Sequence, residues 1–281
     1  MRFRRIFLEF TPNLIILAAT DLRCLLRSTL ISSRIGYQNT NVKPALIVAP
    51  HPDDETFSCA GLIRLKRAAG VPVRILVLTD GEAVGVGRCE RPETVRTDRQ
   101  RELLDACQRL GVKADSVRWL HLPDGKLPRS GQPGFDEAAQ ALLTEIKAFA
   151  PGEVYCPHWH DGHSDHIASN QLTHQALLLW SHPCGLLYYP VWMWYHASSG
   201  LRKRLDTSGA WPLDITTVLA DKQRAMAAYL DAPKTSEAIH SAVAYRGLFY
   251  RFFGAVMKRI FPALADDGNL AVQVIKHAPN D

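Results

Sequence analysis

The chain has 281 residues, 47% of them hydrophobic, 22% charged and 9% aromatic. That is an ordinary globular composition, long enough for one large core or two small domains, and it excludes a miniprotein that depends on disulfide staples. The six cysteines (Cys24, Cys59, Cys89, Cys107, Cys156 and Cys184) contain no CxxC pair, which argues against a cysteine-rich metal site and for buried free thiols in a reducing compartment. The net charge of +5 is uneven. Residues 1–42 carry six arginines against Glu9 and Asp21, and residues 240–261 carry Arg246, Arg251, Lys258 and Arg259 with no acid. The basic character belongs to the two ends.

Thr11-Pro12 supplies an N-cap and a first-turn proline, and Ile15, Ala18, Leu22, Leu25 and Leu26 follow at helical spacing. A basic amphipathic helix is therefore expected within residues 1–42. Glu9, Asp21 and Arg23 interrupt any apolar core of a signal peptide, and no cleavage site follows. Two readings stay open, a helix packed on the protein's own body and an anchor at a membrane surface.

Ala45 to Ala49 is a short unbroken apolar run bounded by Pro44 and Pro50, the pattern of a strand buried on both faces of a parallel sheet. At its carboxyl end, where open α/β sheets bind ligands, stand His51, Asp53, Asp54 and Glu55. One imidazole and three carboxylates so close together call for positive charge, and a divalent metal is the simplest source. His51 and Asp54 offer nitrogen and oxygen ligands suited to zinc, which leaves Asp53 for proton transfer. The plain alternative is a polar loop whose carboxylates cap the next helix, Thr56 to Ala69.

Val73 to Leu78 reads as a second strand ending in Thr79-Asp-Gly-Glu82, followed by a Gly- and charge-rich loop through Pro92. A helix from Thr94 to Leu110, a strand from Val117 to Leu122, the turn Pro123-Asp-Gly125, a helix from Phe135 to Phe149 and a strand from Val154 to Pro157 complete the alternation. Residues 167–201 lack Asp, Glu, Lys and Arg, but His182-Pro183 and Gly185 interrupt them, so a helix and then a strand fit better than a membrane span. Such alternation predicts an α/β fold, a mainly parallel Rossmann-like sheet with helices on both faces, plus terminal helices.

Directly after the Val154 strand comes a second cluster, with four histidines and two aspartates between His158 and His166. Two His/Asp clusters on equivalent edges of one sheet supply three ligands plus spare acid and base groups, the makeup of a catalytic zinc site. The pairing of His51-Pro-Asp-Asp-Glu55 with His163-Ser-Asp-His166 resembles the LmbE-like (PIG-L) deacetylases, over roughly Pro44 to Tyr229. Weaker similarities are Thr79-Asp-Gly-Glu82, Arg99 with Glu102-Leu103 and Leu110-Gly-Val112, and Asp214-Ile215 with Lys222, Ala225 and Tyr229. Many relatives have a Ser-Gln pair after the late-helix tyrosine, where this chain reads Leu230-Asp-Ala-Pro233.

The resemblance implies that His51, Asp54 and His166 bind zinc, or another divalent ion such as Fe²⁺. It makes Asp53 the general base. His163 becomes the group that stabilises the oxyanion or protonates the leaving amine, with Asp165 orienting it. Arg99 and Asp124 fall where relatives contact the sugar. His158, His160 and Asp161 are expected to be supporting or structural, and Glu55 structural. The expected activity is removal of an N-acetyl group from an amino sugar or its glycoconjugate, lipid-linked forms included. An amidase of the same fold acting on a thiol–sugar conjugate and a non-catalytic metal-binding surface protein are the rivals.

The expected layout is an N-terminal extension at 1–42, the deacetylase domain at 43–239 and a basic-aromatic helical segment at 240–281. Within the last, Tyr245 to Phe261 interleaves aromatics with Arg and Lys, which suits packing on the domain, a partner subunit of a homo-oligomer, or an anionic membrane. Nucleic-acid binding is not expected, because no recognition module is present. The expected location is cytoplasmic, with the inner membrane surface as the peripheral alternative.

Overall fold

The structure, a computed structural model, describes residues 42–83, 91–191, 210–213, 215–230 and 272–276. The N-terminal helix, Asp214, residues 231–233 and the Tyr245–Phe261 segment lie outside the described residues.

The elements in chain order are β1 (Ala45–Ala49), α1 (Asp54–Ala68), β2 (Val73–Thr79), α2 (Pro92–Arg109), β3 (Val117–Leu122), α3 (Phe135–Phe149) and β4 (Glu153–Pro157). Then come α4 (Ser164–Trp180), β5 (Gly185–Tyr189), β6 (Ala210–Leu213), α5 (Leu219–Leu230) and β7 (Val272–Lys276). The helices α1, α2 and α4 begin two or three residues earlier than the apolar periodicity suggests. Pro92 occupies the first turn of α2, where its missing N–H costs nothing, and His163 caps α4 by accepting the Asp165 N–H.

The strands form one seven-stranded sheet in the order β3-β2-β1-β4-β5-β7-β6. β1 to β5 are mutually parallel, whereas β7 runs antiparallel to both β5 and β6. All five residues of β1 are buried, as expected of a strand covered on both faces. Ile47, Ile75, Val77 and Tyr155 face α1, α2 and α5 through Leu62, Leu103 and Ala225. Leu46, Val48, Leu76 and Val154 face α3 and α4 through Leu142, Ile146 and Leu172. Gly61 lets α1 close on Ile215, since a Cβ there would stand 2.4 Å from the Ile215 Cγ2.

This order positions the site. The chain builds outward from β1 through β2 to β3, then crosses back to place β4 on the other side of β1. The loops that follow β1 and β4 therefore leave the sheet side by side at its carboxyl edge, where the strand order reverses and ligands bind.

One expectation is corrected. Residues 240–281 read as a helical segment, yet Val272–Lys276 is a strand inserted between β5 and β6 in the same sheet. Its alternating, β-branched run Val-Gln-Val-Ile-Lys is a strand pattern in retrospect. The short strand β6 was not anticipated either. Among the described residues, no helix is long and apolar enough to cross a membrane, and Cys59, Cys107, Cys156 and Cys184 are free thiols.

Lys222 on α5 is buried, and its Nζ donates to the Phe57 carbonyl at 3.1 Å. Burial lowers its pKa to about 8. The folded state therefore holds this proton less tightly than the unfolded chain does, so stability rises with pH from about 8 towards the ordinary lysine value and falls below it, a swing worth roughly 3 kcal/mol. Lys222→Met is expected to raise the melting temperature by several degrees at pH 7, with the gain shrinking as pH passes 8. Thermal melts of both proteins across pH 6.5–9.5 would check this.

Candidate metal-dependent active site

Asp53 sits at the N-terminus of α1 with φ 125°, a conformation that L side chains seldom adopt. The backbone is held there from several sides. Its N–H donates to Glu55 Oε2 at 3.0 Å, its carbonyl accepts the Thr56 and Phe57 N–H groups, and its Oδ2 accepts Arg99 Nη2 at 2.9 Å. Arg99 Nη2 also donates to the Pro52 carbonyl. Gly81 makes this possible from the loop after β2. At φ +69° its backbone lies against the Pro52 ring and the Arg99 side chain, where a Cβ would come within 3.1–3.2 Å of both.

Glu55 is the structural partner expected of it. Its Oε1 accepts the Tyr229 hydroxyl at 2.7 Å and the Thr56 hydroxyl at 2.5 Å. Burial raises its pKa to about 7 in spite of those bonds.

The structure brings His51, Asp54, His163 and His166 together. Asp54 Oδ2 lies 3.1 Å from His51 Nδ1 and 3.3 Å from His166 Nε2. The His163 ring centre is 4.9 Å from each of the other two imidazoles. His163 and His166 come from one turn of α4, as the N-cap and three residues on, so both rings face the β1 loop.

His166 is fully buried, and its Nδ1 is bound to Asp161 Oδ2 at 2.5 Å. Its Nε2 makes no hydrogen bond. Asp54 Oδ2 is 3.3 Å away. A tetrahedral zinc with bonds of about 2.0–2.1 Å holds its donor atoms about 3.3–3.4 Å apart, so the spacing fits. Charge agrees with geometry. Burial disfavours charge on both rings, yet Asp54 and Asp161 around His166 raise its pKa to about 9, and Asp124, Asp165 and Asp54 raise that of His51 well above the ordinary value. Burial likewise pushes Asp54 upward, and the His166 and His51 rings outweigh it to hold the carboxylate well below its usual range. A site that binds protons this avidly is one a divalent cation would occupy by displacing them.

Asp161, expected to be supporting or structural, stands directly behind His166. It fixes His166 through Nδ1 and accepts the Val191 N–H at 2.7 Å, the support that metal-binding histidines commonly receive. His158 and His160 belong to a different assembly, where His158 stacks on Trp159 with ring centres 3.8 Å apart.

Asp165, Arg99 and Asp124 have the following surroundings. The Asp165 carboxylate accepts from the Gly125 and Leu127 amides and lies 3.1 Å from His51 Nε2, so it supports His51. Its link to His163 is its own backbone N–H, which donates to His163 Nδ1 at 3.2 Å. Arg99 is buried, and its guanidinium donates to Asp53, Pro52 and Glu102, so it positions the Asp53 loop. Asp124 does reach the cluster. Its Oδ1 is 3.2 Å from His51 Nε2, while Oδ2 accepts the Ala83 N–H.

With this geometry established, comparison with known proteins is decisive for the domain. Residues 46–177 match the family model for PIG-L, GlcNAc-PI de-N-acetylase. This stretch is a PIG-L/LmbE-family domain. A curated relative, the probable N-acetyl-alpha-D-glucosaminyl L-malate deacetylase 2 of Bacillus subtilis (strain 168), is 30% identical over 140 residues, covering 47% of this chain and 59% of its own length. The chain thus spans about three fifths of that relative. Among solved structures, the N,N'-diacetylchitobiose deacetylase of Pyrococcus horikoshii aligns with a TM-score of 0.54 at 20% identity, over 77% of this chain and 80% of its own. The 4-carboxy-2-hydroxymuconate hydratase GalB of Pseudomonas putida KT2440 aligns with a TM-score of 0.58 at 18% identity, over 85% and 98%. Likeness at these identities establishes the fold alone, and one PIG-L-like fold evidently carries more than one reaction.

Proposed function

We propose that the protein is a zinc-dependent hydrolase that removes the N-acetyl group from an N-acetylated amino sugar or its glycoconjugate. The observation that carries this reading is the convergence of His51, Asp54 and the unbonded His166 Nε2 beside Asp53 and His163. Those are the residues that the PIG-L resemblance makes ligands, base and oxyanion donor. The names of the relatives supply the substrate class.

A zinc ion held by His51, Asp54 and His166 would supply Lewis acidity, polarising an acyl oxygen and making water acidic enough to ionise near pH 7. Asp53, oriented by the Arg99 ion pair, accepts the proton of the attacking water as the oxygen bonds to the amide carbon. His163 receives the Asp165 N–H at Nδ1, so its neutral ring carries its proton on Nε2 and donates that N–H to the oxygen that becomes negative. Burial, together with the nearby His51 and His166, lowers the His163 pKa below the ordinary histidine value, which keeps this neutral form at pH 7. The C–N bond then breaks. The proton on Asp53 passes to the departing nitrogen, giving acetate and a free amine.

The test is acetate and amine release from N-acetylglucosaminides by zinc-loaded protein. Turnover that needs both the metal and Asp53 supports the reading. No turnover across a panel of acetylated amino sugars, with about one zinc bound per chain, would overturn it.

A further inference from the structure

One pair at the same edge of the sheet has no role in this chemistry. His121 stands near the end of β3, where pairing with β2 slips, Val77 lying opposite Trp119 and Thr79 opposite Leu122. The extra residue gives the strand a bulge, and His121 takes φ 52° there. Its side chain is 57% exposed, yet Nδ1 is clamped 2.9 and 3.0 Å from the two oxygens of buried Asp80. Asp80 also receives Arg96 Nε at 2.9 Å and Gln100 Nε2 at 3.2 Å from α2. Arg96 and Gln100 suffice to tie α2 to β2, so an outward histidine on strained backbone is not needed for that purpose.

Facing two carboxylate oxygens, Nδ1 must hold a ring proton, and Nε2 is left as the polar atom not engaged by Asp80. Arg96, with 44% of its side chain exposed, gives only Nε to Asp80 and has both Nη groups left as donors. Two hydrogen-bonding side chains held side by side by one carboxylate match a hydroxyl group, which can both give and take hydrogen bonds. The Trp119 ring lies nearly parallel to His121, with centres 6.2 Å apart, and provides a flat apolar neighbour. The pair also adjoins the metal cluster. Three residues after His121 is Asp124, bound to His51 on one oxygen and to Ala83, three residues after Asp80, on the other.

We propose that Asp80, Arg96 and His121 form a subsite that reads a hydroxyl of a second, polyhydroxylated ring joined to the acetamido sugar. His121 and Arg96 touch that ring, and Asp80 positions them. The inference rests on the proposed deacetylase reading, which supplies the first ring.

The experiment compares a disaccharide of two N-acetylglucosamine units with methyl N-acetylglucosaminide. It uses zinc-loaded wild type, His121→Ala, His121→Gln and Arg96→Met, reading kcat and KM separately and the Kd of the matching amine products by calorimetry. Wild type is expected to favour the two-ring ligands, and His121→Ala and Arg96→Met to cut that preference roughly five- to tenfold through KM and Kd, the scale of one hydrogen bond. His121→Gln, which keeps a polar group at the end of the side chain, should restore part of it. Equal binding of one-ring and two-ring ligands by wild type, or an unchanged preference in both truncated variants, would overturn the subsite. Calorimetry separates the two claims. A His121-dependent preference without turnover of any amide would sink the deacetylase reading alone, and turnover without that preference would sink the subsite alone.

Discussion

Asp53→Asn is expected to lower kcat/KM for amide hydrolysis by about 10²–10⁴-fold, the usual contribution of a positioned general base, and to leave zinc bound. Asparagine keeps the size of the side chain and an oxygen for Arg99, but cannot accept the water's proton. The loss should therefore fall on kcat and be insensitive to added zinc. Asp53 is placed beside the metal cluster by strained backbone at φ 125°, an Arg99 ion pair and a Glu55 bond to its amide, so the loop is held without help from substrate. Steady-state kinetics together with metal analysis by atomic spectroscopy would check both halves. A variant that lost metal as well would show that Asp53 acts in binding the ion and not in moving the proton.

His166→Ala is expected to release the metal, from about one zinc per chain to a small fraction after gel filtration, with activity falling in step. Its Nε2 is a buried nitrogen with no hydrogen bond, on a ring whose Nδ1 is held by the buried Asp161 carboxylate. Asp161→Asn should give a milder result in the same direction. It leaves the ligand in place but removes the charge that orients the ring, which commonly costs about 10–100-fold in metal affinity. Competition with a chromogenic zinc chelator would rank wild type, Asp161→Asn and His166→Ala in that order. Among the described residues the groups that could hold a metal are His51 with His163 and His166, and His51 with Asp124 and Asp165, so retention of tight zinc by His166→Ala would move the ion to the second of these.

Much of the fold was legible because its signals are local. An unbroken aliphatic run such as Ala45–Ala49 can only be satisfied by burial on both faces, and regular alternation of such runs with amphipathic helices leaves few sheet topologies. The His/Asp clusters at 51–55 and 158–166 were equally plain, since each is a short polar burst at the end of an apolar strand. What stayed hidden was what depends on contacts across the chain. No local pattern reveals that Asp165 turns to His51, 114 residues away in sequence, or that Arg99 reaches back 46 residues to Asp53. Hydrogen-bond partners of this kind are chosen by the crossing of α2 and α4 over the sheet edge. The strand at Val272–Lys276 was missed for a similar reason, because its partners β5 and β6 lie far from it in the chain.

The class of the fold and the kind of chemistry that His51, Asp53, Asp54, His163 and His166 are suited to were therefore legible along the chain, while a ligand set was named through the resemblance alone. Residue type and spacing along one strand end or one helical turn decide the first two. Only the tertiary structure decided how these side chains are supported: Asp161 behind His166, Asp165 behind His51, Arg99 behind Asp53, and Asp80 behind an outward His121. Support of that sort is a carboxylate or guanidinium brought within about 3 Å of its partner, and a distance that short between remote residues exists only once the sheet has brought its strand ends together.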